Sequence, residues 1–177
     1  DRTAEAIEQG NVICWFQGRT EFGPRALGNR SFLADPRRDS IRDEINAKIK
    51  KREMFRPFAP SVKAECAQDY FELTVPSPFM NVIAPVRADK RDVIPAVTHV
   101  DGTARIQTVT KTANPRYWAL LDKFEEKTGV PVLLNTSFNI LEPIVNTPEE
   151  AVDCFLRSKA DVLVMGDYFI SRDMIAA

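Results

Sequence analysis

Between Trp15 and Phe32 the sequence reads WFQGRTEFGPRALGNRSF, in which Gly18, Gly23 and Gly28 alternate with Arg19, Arg25 and Arg30. Glycine lets backbone N–H groups approach a ligand closely, and a guanidinium meets phosphate or carboxylate oxygens through two parallel bonds. The stretch therefore predicts an anion site, with Arg25 and Arg30 as bidentate partners and Gly23 beside them. It is not a Walker loop. Gly18 and Gly23 have the G-x-x-x-x-G spacing, but Pro24 and Arg25 stand where Lys and Ser/Thr are required. The alternative is a structural loop whose arginines pair with Glu21 and Asp35.

Three further groups could join such a site. In KIKKREMFRPFAP, the residues Lys48, Lys50, Lys51 and Arg52 read as the solvated face of a helix. Arg56 stands between Phe55 and Pro57–Phe58, where apolar neighbours would hold a guanidinium at a pocket rim. In LLNTSFN, the residues Asn135, Thr136, Ser137 and Asn139 follow a buried strand, the end of which is where open α/β sheets bind ligands. Their alternative is a turn that satisfies its own backbone. In RIQTV, Arg105 and Gln107 alternate on one strand face and could point into the same cleft; His99, the lone histidine, reads as a satisfied polar residue. Neither G-x-S-x-G nor a Cys/His pair is present, so positioning and charge stabilisation are favoured over covalent catalysis.

These side chains need elements to hold them. Strands are predicted at 11–16, 31–34, 60–65, 79–86, 104–110, 131–136 and 161–170. Helices are predicted over 3–9, over 39–51 with Ile41, Ile45 and Ile49 as the core stripe, over 114–127, and over 147–158. Thr147-Pro148-Glu149-Glu150 has the form of a capping box. The interleaving predicts an α/β (α+β) fold with a mixed sheet, and the lack of linkers predicts one domain over 1–177.

Bulk composition excludes several classes. The formal net charge is −1, so the chain is no polycation for non-specific nucleic-acid binding. Residues 19–56 nevertheless carry eight Arg and three Lys against six acids, a local +5. A single His and three scattered Cys predict no metal site, no disulfide framework and a reducing compartment, the cytoplasm. No apolar run approaches the roughly 18 residues of a membrane span. A start at DRTAEAIEQG, within a helical pattern, is expected for a segment of a longer polypeptide.

Taken together, WFQGRTEFGPRALGNRSFLADPR, FRPFAPSV, RIQTV and LLNTSFN with EPIV and TPEEA resemble the C-terminal domain of the O-carbamoyltransferases of nodulation-factor and antibiotic biosynthesis. The resemblance runs along essentially the whole chain. It implies a YrdC-like twisted mixed sheet flanked by helices. It also implies a domain that makes carbamoyl adenylate from carbamoyl phosphate and ATP, with magnesium arriving with the nucleotide. The carbamoyl group would then pass to a sugar-containing acceptor on an N-terminal, actin-like domain that holds iron and lies outside this chain. Arg25, Arg30, Arg56 and Arg105 would neutralise phosphate charge, and Asn135, Ser137 and Asn139 would hold phosphate oxygens or the flat carbamoyl group. YrdC-like proteins use a basic Lys/Arg pair and a Ser-x-Asn segment; TSFN matches the latter approximately, and either Lys50 or Lys51 could supply the lysine. Two alternatives remain: a YrdC-like module that binds nucleotide or RNA without catalysis of its own, and a docking domain that completes its partner. Extended RNA contact is disfavoured by the net charge and by the lack of aromatics interleaved with the basic run.

Overall fold

The computed structural model describes residues 1–175, apart from the side chain of Lys48. Its centre is an eight-stranded sheet in the order β4-β5-β3-β6-β2-β1-β7-β8. The strands are β1 (Ile13–Phe16), β2 (Arg30–Ala34), β3 (Ala59–Lys63), β4 (Val82–Pro85), β5 (Thr103–Val109), β6 (Val132–Ser137), β7 (Val162–Met165) and β8 (Tyr168–Ser171). β3 runs parallel to β5 and β1 to β7, and the other pairs are antiparallel. The sheet is therefore mixed. β1, β2 and β3 are buried at every position; β1 (ICWF) reads as a continuous apolar run, whereas β2 and β3 bury polar residues among apolar ones, Arg30, Ser31, Ser61 and Lys63.

The described residues form five α-helices, α1 (Arg2–Glu8), α2 (Ser40–Glu44), α3 (Ala67–Tyr70), α4 (Pro115–Thr128) and α5 (Pro148–Arg157), of which α1, α4 and α5 pack on the sheet. α4 buries Tyr117, Leu120, Leu121 and Phe124, one stripe at helical spacing, and packs on α1, β3 and β6. Asn114 caps it by accepting from the Tyr117 N–H, and Gly129 ends it at φ +73°. α5 opens with the reciprocal Thr147–Glu150 capping box and packs on β1 and β7.

Two expectations change. The stretch 161–170, read as one strand, is a hairpin, because Gly166 takes φ +59° and turns β7 back into β8. The helix over 39–51 is α-helical only to Glu44. From Ile45 to Lys50 it widens into a π-helix, and it ends at Lys51 in the left-handed conformation. Ile41, Ile45 and Ile49 are still buried, so the core stripe holds while the residues after it are redirected.

Candidate functional site

β6 lies near the middle of the sheet, between β3 and β2. Its last three residues, Asn135, Thr136 and Ser137, open onto a cavity of about 100 Å³. Arg25 enters from the glycine loop, Arg52 from the chain just past the π-helical turn, and Arg105 from β5. Arg25 and Ser137 thus face one cavity. No Asp or Glu lines it, and Arg25, Arg52 and Arg105 form no ion pair among the described residues. The Nε–H of Arg105 is buried without a partner. Burial first, and the neighbouring Arg25 second, hold the Arg105 guanidinium below its usual pKa. Three unneutralised guanidinium groups around a polar cavity are arranged to receive an anion, whose oxygens supply the missing acceptors.

Beside this cavity Lys50 is almost completely buried. Its Nζ donates to the carbonyl oxygen (2.5 Å) and Oγ (3.1 Å) of Ser137 and to the carbonyl oxygen (2.8 Å) and Oδ1 (2.8 Å) of Asn139. Ser137 Oγ also donates to Asn139 Oδ1 at 2.7 Å. Burial, followed by the charge of Arg52, pushes the Lys50 pKa down to about 7. Arg52 is fixed by its Nε bond to Asn46 Oδ1 at 2.8 Å and lies over the Phe58 ring at 4.9 Å.

The left-handed Lys51 explains how this pair converges. Residues i and i+2 on a regular helix point to different faces. With φ +48° at Lys51, Lys50 turns toward Ser137 and Asn139 while Arg52 reaches the cavity. Met80, the other non-glycine residue at positive φ (+54°), lines the same cavity. Such conformations cost energy and gather where surrounding structure imposes them.

Several predicted residues stand elsewhere. Arg30 is buried and is not among the residues that line the cavity. Its Nη1 donates to the carbonyls of Gln17 (2.7 Å) and Asn29 (2.9 Å), its Nη2 to that of Gly18 (3.2 Å), and it stacks over Phe16 at 3.6 Å. The geometry makes it a brace for the loop, acting through carbonyls and not through the expected Glu21 or Asp35 pairs; Asp35 pairs with Arg37. Arg56 is exposed and paired with Glu53 at 3.0 Å, away from the cavity. Its apolar neighbour Phe55 is exposed too, so no pocket holds the guanidinium. Lys51 is exposed and its amine stays outside the site. Gly23, at φ +105°, shapes the loop before Pro24 and Arg25 without lining the cavity itself. Gln107 is directed at the Leu27 carbonyl and not into the cavity.

Arg52 was missed because it was grouped with Lys48, Lys50 and Lys51 as the solvated face of the helix. Its one sequence signal is the spacing Lys-x-Arg ahead of a Phe-Arg-Pro turn, and nothing in a lysine announces a left-handed residue.

Larger, shallower grooves lie elsewhere, but their arginines are engaged. In one of about 510 Å³, Arg172 donates to the carbonyls of Phe155, Ser158 and Ala160, and Arg2 lies over Phe169. Among the described residues, no group of three or more His, Cys, Asp or Glu gathers as a metal centre, and no helix is long and apolar enough to cross a membrane.

Comparison with known proteins gives a consistent picture. Residues 4–172 match the family described as Carbamoyltransferase C-terminus. The chain is similar to the nodulation protein NolNO of Sinorhizobium fredii, 56% identical over 97% of this chain and 26% of that protein. It is similar to the 3'-hydroxymethylcephem-O-carbamoyltransferase of Amycolatopsis lactamdurans, 41% identical over 97% of this chain and 33% of that protein. The chain thus spans about a quarter to a third of these curated relatives. Its fold is shared with full-length HypF, solved in a phosphate- and nucleotide-bound form. The TM-score is 0.64 at 18% identity, over 93% of this chain and 24% of that one.

Proposed function

The chain belongs to the family of carbamoyltransferase C-terminal domains, and on that premise we propose that it forms carbamoyl adenylate from carbamoyl phosphate and ATP. The observation that carries this reading is the cavity with Arg25, Arg52 and Arg105, three guanidiniums and no carboxylate. Both substrates are polyanions. A cavity of about 100 Å³ takes a phosphoryl or carbamoyl group, and the rest of the nucleotide extends out of it.

In this scheme carbamoyl phosphate and water give carbamate and inorganic phosphate. A carbamate oxygen then attacks the α-phosphorus of ATP, and pyrophosphate leaves. Negative charge builds on the phosphoryl oxygens in both steps. Fixed cations aimed at that charge in a site poor in water stabilise it more than water does. Arg25, Arg52 and Arg105 fill that role, each contact contributing about 1.5–3 kcal/mol. Lys50 has a different task. It clasps Ser137 and Asn139, which fixes the end of β6 where the flat carbamoyl group would lie. Magnesium would enter with ATP as part of the substrate. In this proposal iron belongs to the N-terminal, actin-like domain that the family resemblance implies. That domain would carry the carbamoyl group to the hydroxyl of a sugar-containing acceptor. The proposed setting is the cytoplasm.

Product analysis tests this reading. With carbamoyl phosphate and MgATP, phosphorus NMR should show inorganic phosphate and pyrophosphate appearing together, and omission of either substrate should abolish pyrophosphate. Pyrophosphate formation independent of carbamoyl phosphate would count against it.

A further inference from the structure

The tip of the glycine loop has no backbone support of its own. Among the described residues, positions 20–25 make no backbone–backbone hydrogen bond, yet Arg25 stands at the cavity. The support comes immediately afterwards. Gln107 Nε2 donates to the Leu27 carbonyl at 2.7 Å, and Asn135 Nδ2 donates to the Ala26 carbonyl at 3.2 Å. Glu21 Oε1 accepts from the Leu27 and Asn29 N–H groups at 2.9 and 2.6 Å. Gln107 is itself held: its Oε1 accepts from Ser61 Oγ at 2.6 Å and from Asn135 Nδ2 at 3.0 Å. Ser61, Gln107 and Asn135 are all buried. A rigid amide cluster in the sheet therefore grips the two residues that follow Arg25.

Resting on the anion-site reading above, we propose that Gln107 is a positioning residue for Arg25. It does not line the cavity and does not touch the anion. Its bond to the Leu27 carbonyl fixes the chain two residues from Arg25, so that the guanidinium is already in place when a phosphoryl group arrives. Without that bond the tip, which has no backbone bonds of its own and is tied through Glu21 to the very segment that Gln107 fixes, samples other positions, and each binding event must order it again.

A double-mutant cycle separates this role from plain structural support. Carbamoyl phosphate affinity is measured by calorimetry on the chain and on Gln107→Met, Arg25→Ala and the double variant. Methionine keeps the volume and loses both the donor to Leu27 and the oxygen that accepts from Ser61 and Asn135. Gln107→Met and Arg25→Ala should each weaken binding about tenfold or more, and the double variant should bind no worse than Arg25→Ala alone. If the two losses multiply, or Gln107→Met binds like the parent despite a lowered melting temperature, the positioning role is wrong and the anion site stands. If Arg25→Ala binds like the parent, the anion-site reading falls and this inference with it. Should Gln107→Met fail to fold, Ser61→Ala removes the hydroxyl that steadies both Gln107 and Asn135, the two residues that hold Leu27 and Ala26. It should give a smaller loss that again vanishes in the Arg25→Ala background, and a loss persisting there contradicts the proposal.

Discussion

Lys50 Nζ lies 2.8 Å from Oδ1 of Asn139, 89 residues further along the chain. The contact joins the π-helical turn to the segment after β6, and it buries an ammonium beside a cavity already crowded with arginines.

That placement has a pH consequence. The Lys50 pKa falls to about 7, chiefly through burial, whereas an unfolded lysine titrates near 10.5. The folded state therefore disfavours the ammonium, and this group's penalty is relieved as pH rises from about 7 toward 10.5. Stability of the parent relative to Lys50→Met should rise across that range. In the folded protein Lys50 loses its charge as pH passes through about 7, so phosphate affinity should fall there. Denaturant midpoints and phosphate titrations at pH 6 and pH 9 check both signs.

Arg30→Ala should act on stability. It leaves the Gln17 and Gly18 carbonyls without their donor, takes one of two donors from the Asn29 carbonyl, and uncovers Phe16, at a cost of about 2–3 kcal/mol. Thermal unfolding should show a clear drop, with phosphate affinity of the folded protein within about twofold of the parent.

Arg52 and Arg56 should behave oppositely although only four positions apart. Arg52→Ala should weaken carbamoyl phosphate binding about tenfold or more, by loss of a charge-assisted contact. Arg56→Ala removes an exposed pair with Glu53 and should leave both affinity and melting temperature nearly unchanged. Calorimetry and thermal scans on the two variants decide this.

How much was legible in the sequence varied with the kind of signal. The strands at 13–16 and 132–137 were marked by apolar runs, that at 59–63 by the prolines that end the preceding helix, and α4 and α5 by their caps and stripes, because local chemistry dictates them. The meeting of Arg25, Arg105 and Ser137 followed from β6 ending at a central position in the sheet. The choice of Lys50 over Lys51 was not legible, since it depends on a π-helical widening and a left-handed lysine imposed by tertiary packing. Arg30 and Arg25 look equivalent in sequence. They differ because Arg30 begins β2, where the sheet directs it inward to the loop carbonyls, whereas Arg25 remains in the loop. The turn in the 161–170 run was legible in Gly166–Asp167, a two-residue hairpin signal between apolar segments, but the segments on either side were read as one strand.

The central claim is that Arg25 and Arg105 form one anion site with no counter-charge of their own. Carbamoyl phosphate and ATP affinities, measured on the parent and on Arg25→Ala and Arg105→Ala, test it most directly. Saturable binding of both ligands should weaken roughly 10- to 150-fold in each variant, corresponding to about 1.5–3 kcal/mol, with melting temperature little changed. Arg→Lys at either position should recover only part of the loss, because the ammonium lacks the bidentate fork. Unchanged affinity for both ligands in both alanine variants would contradict the account.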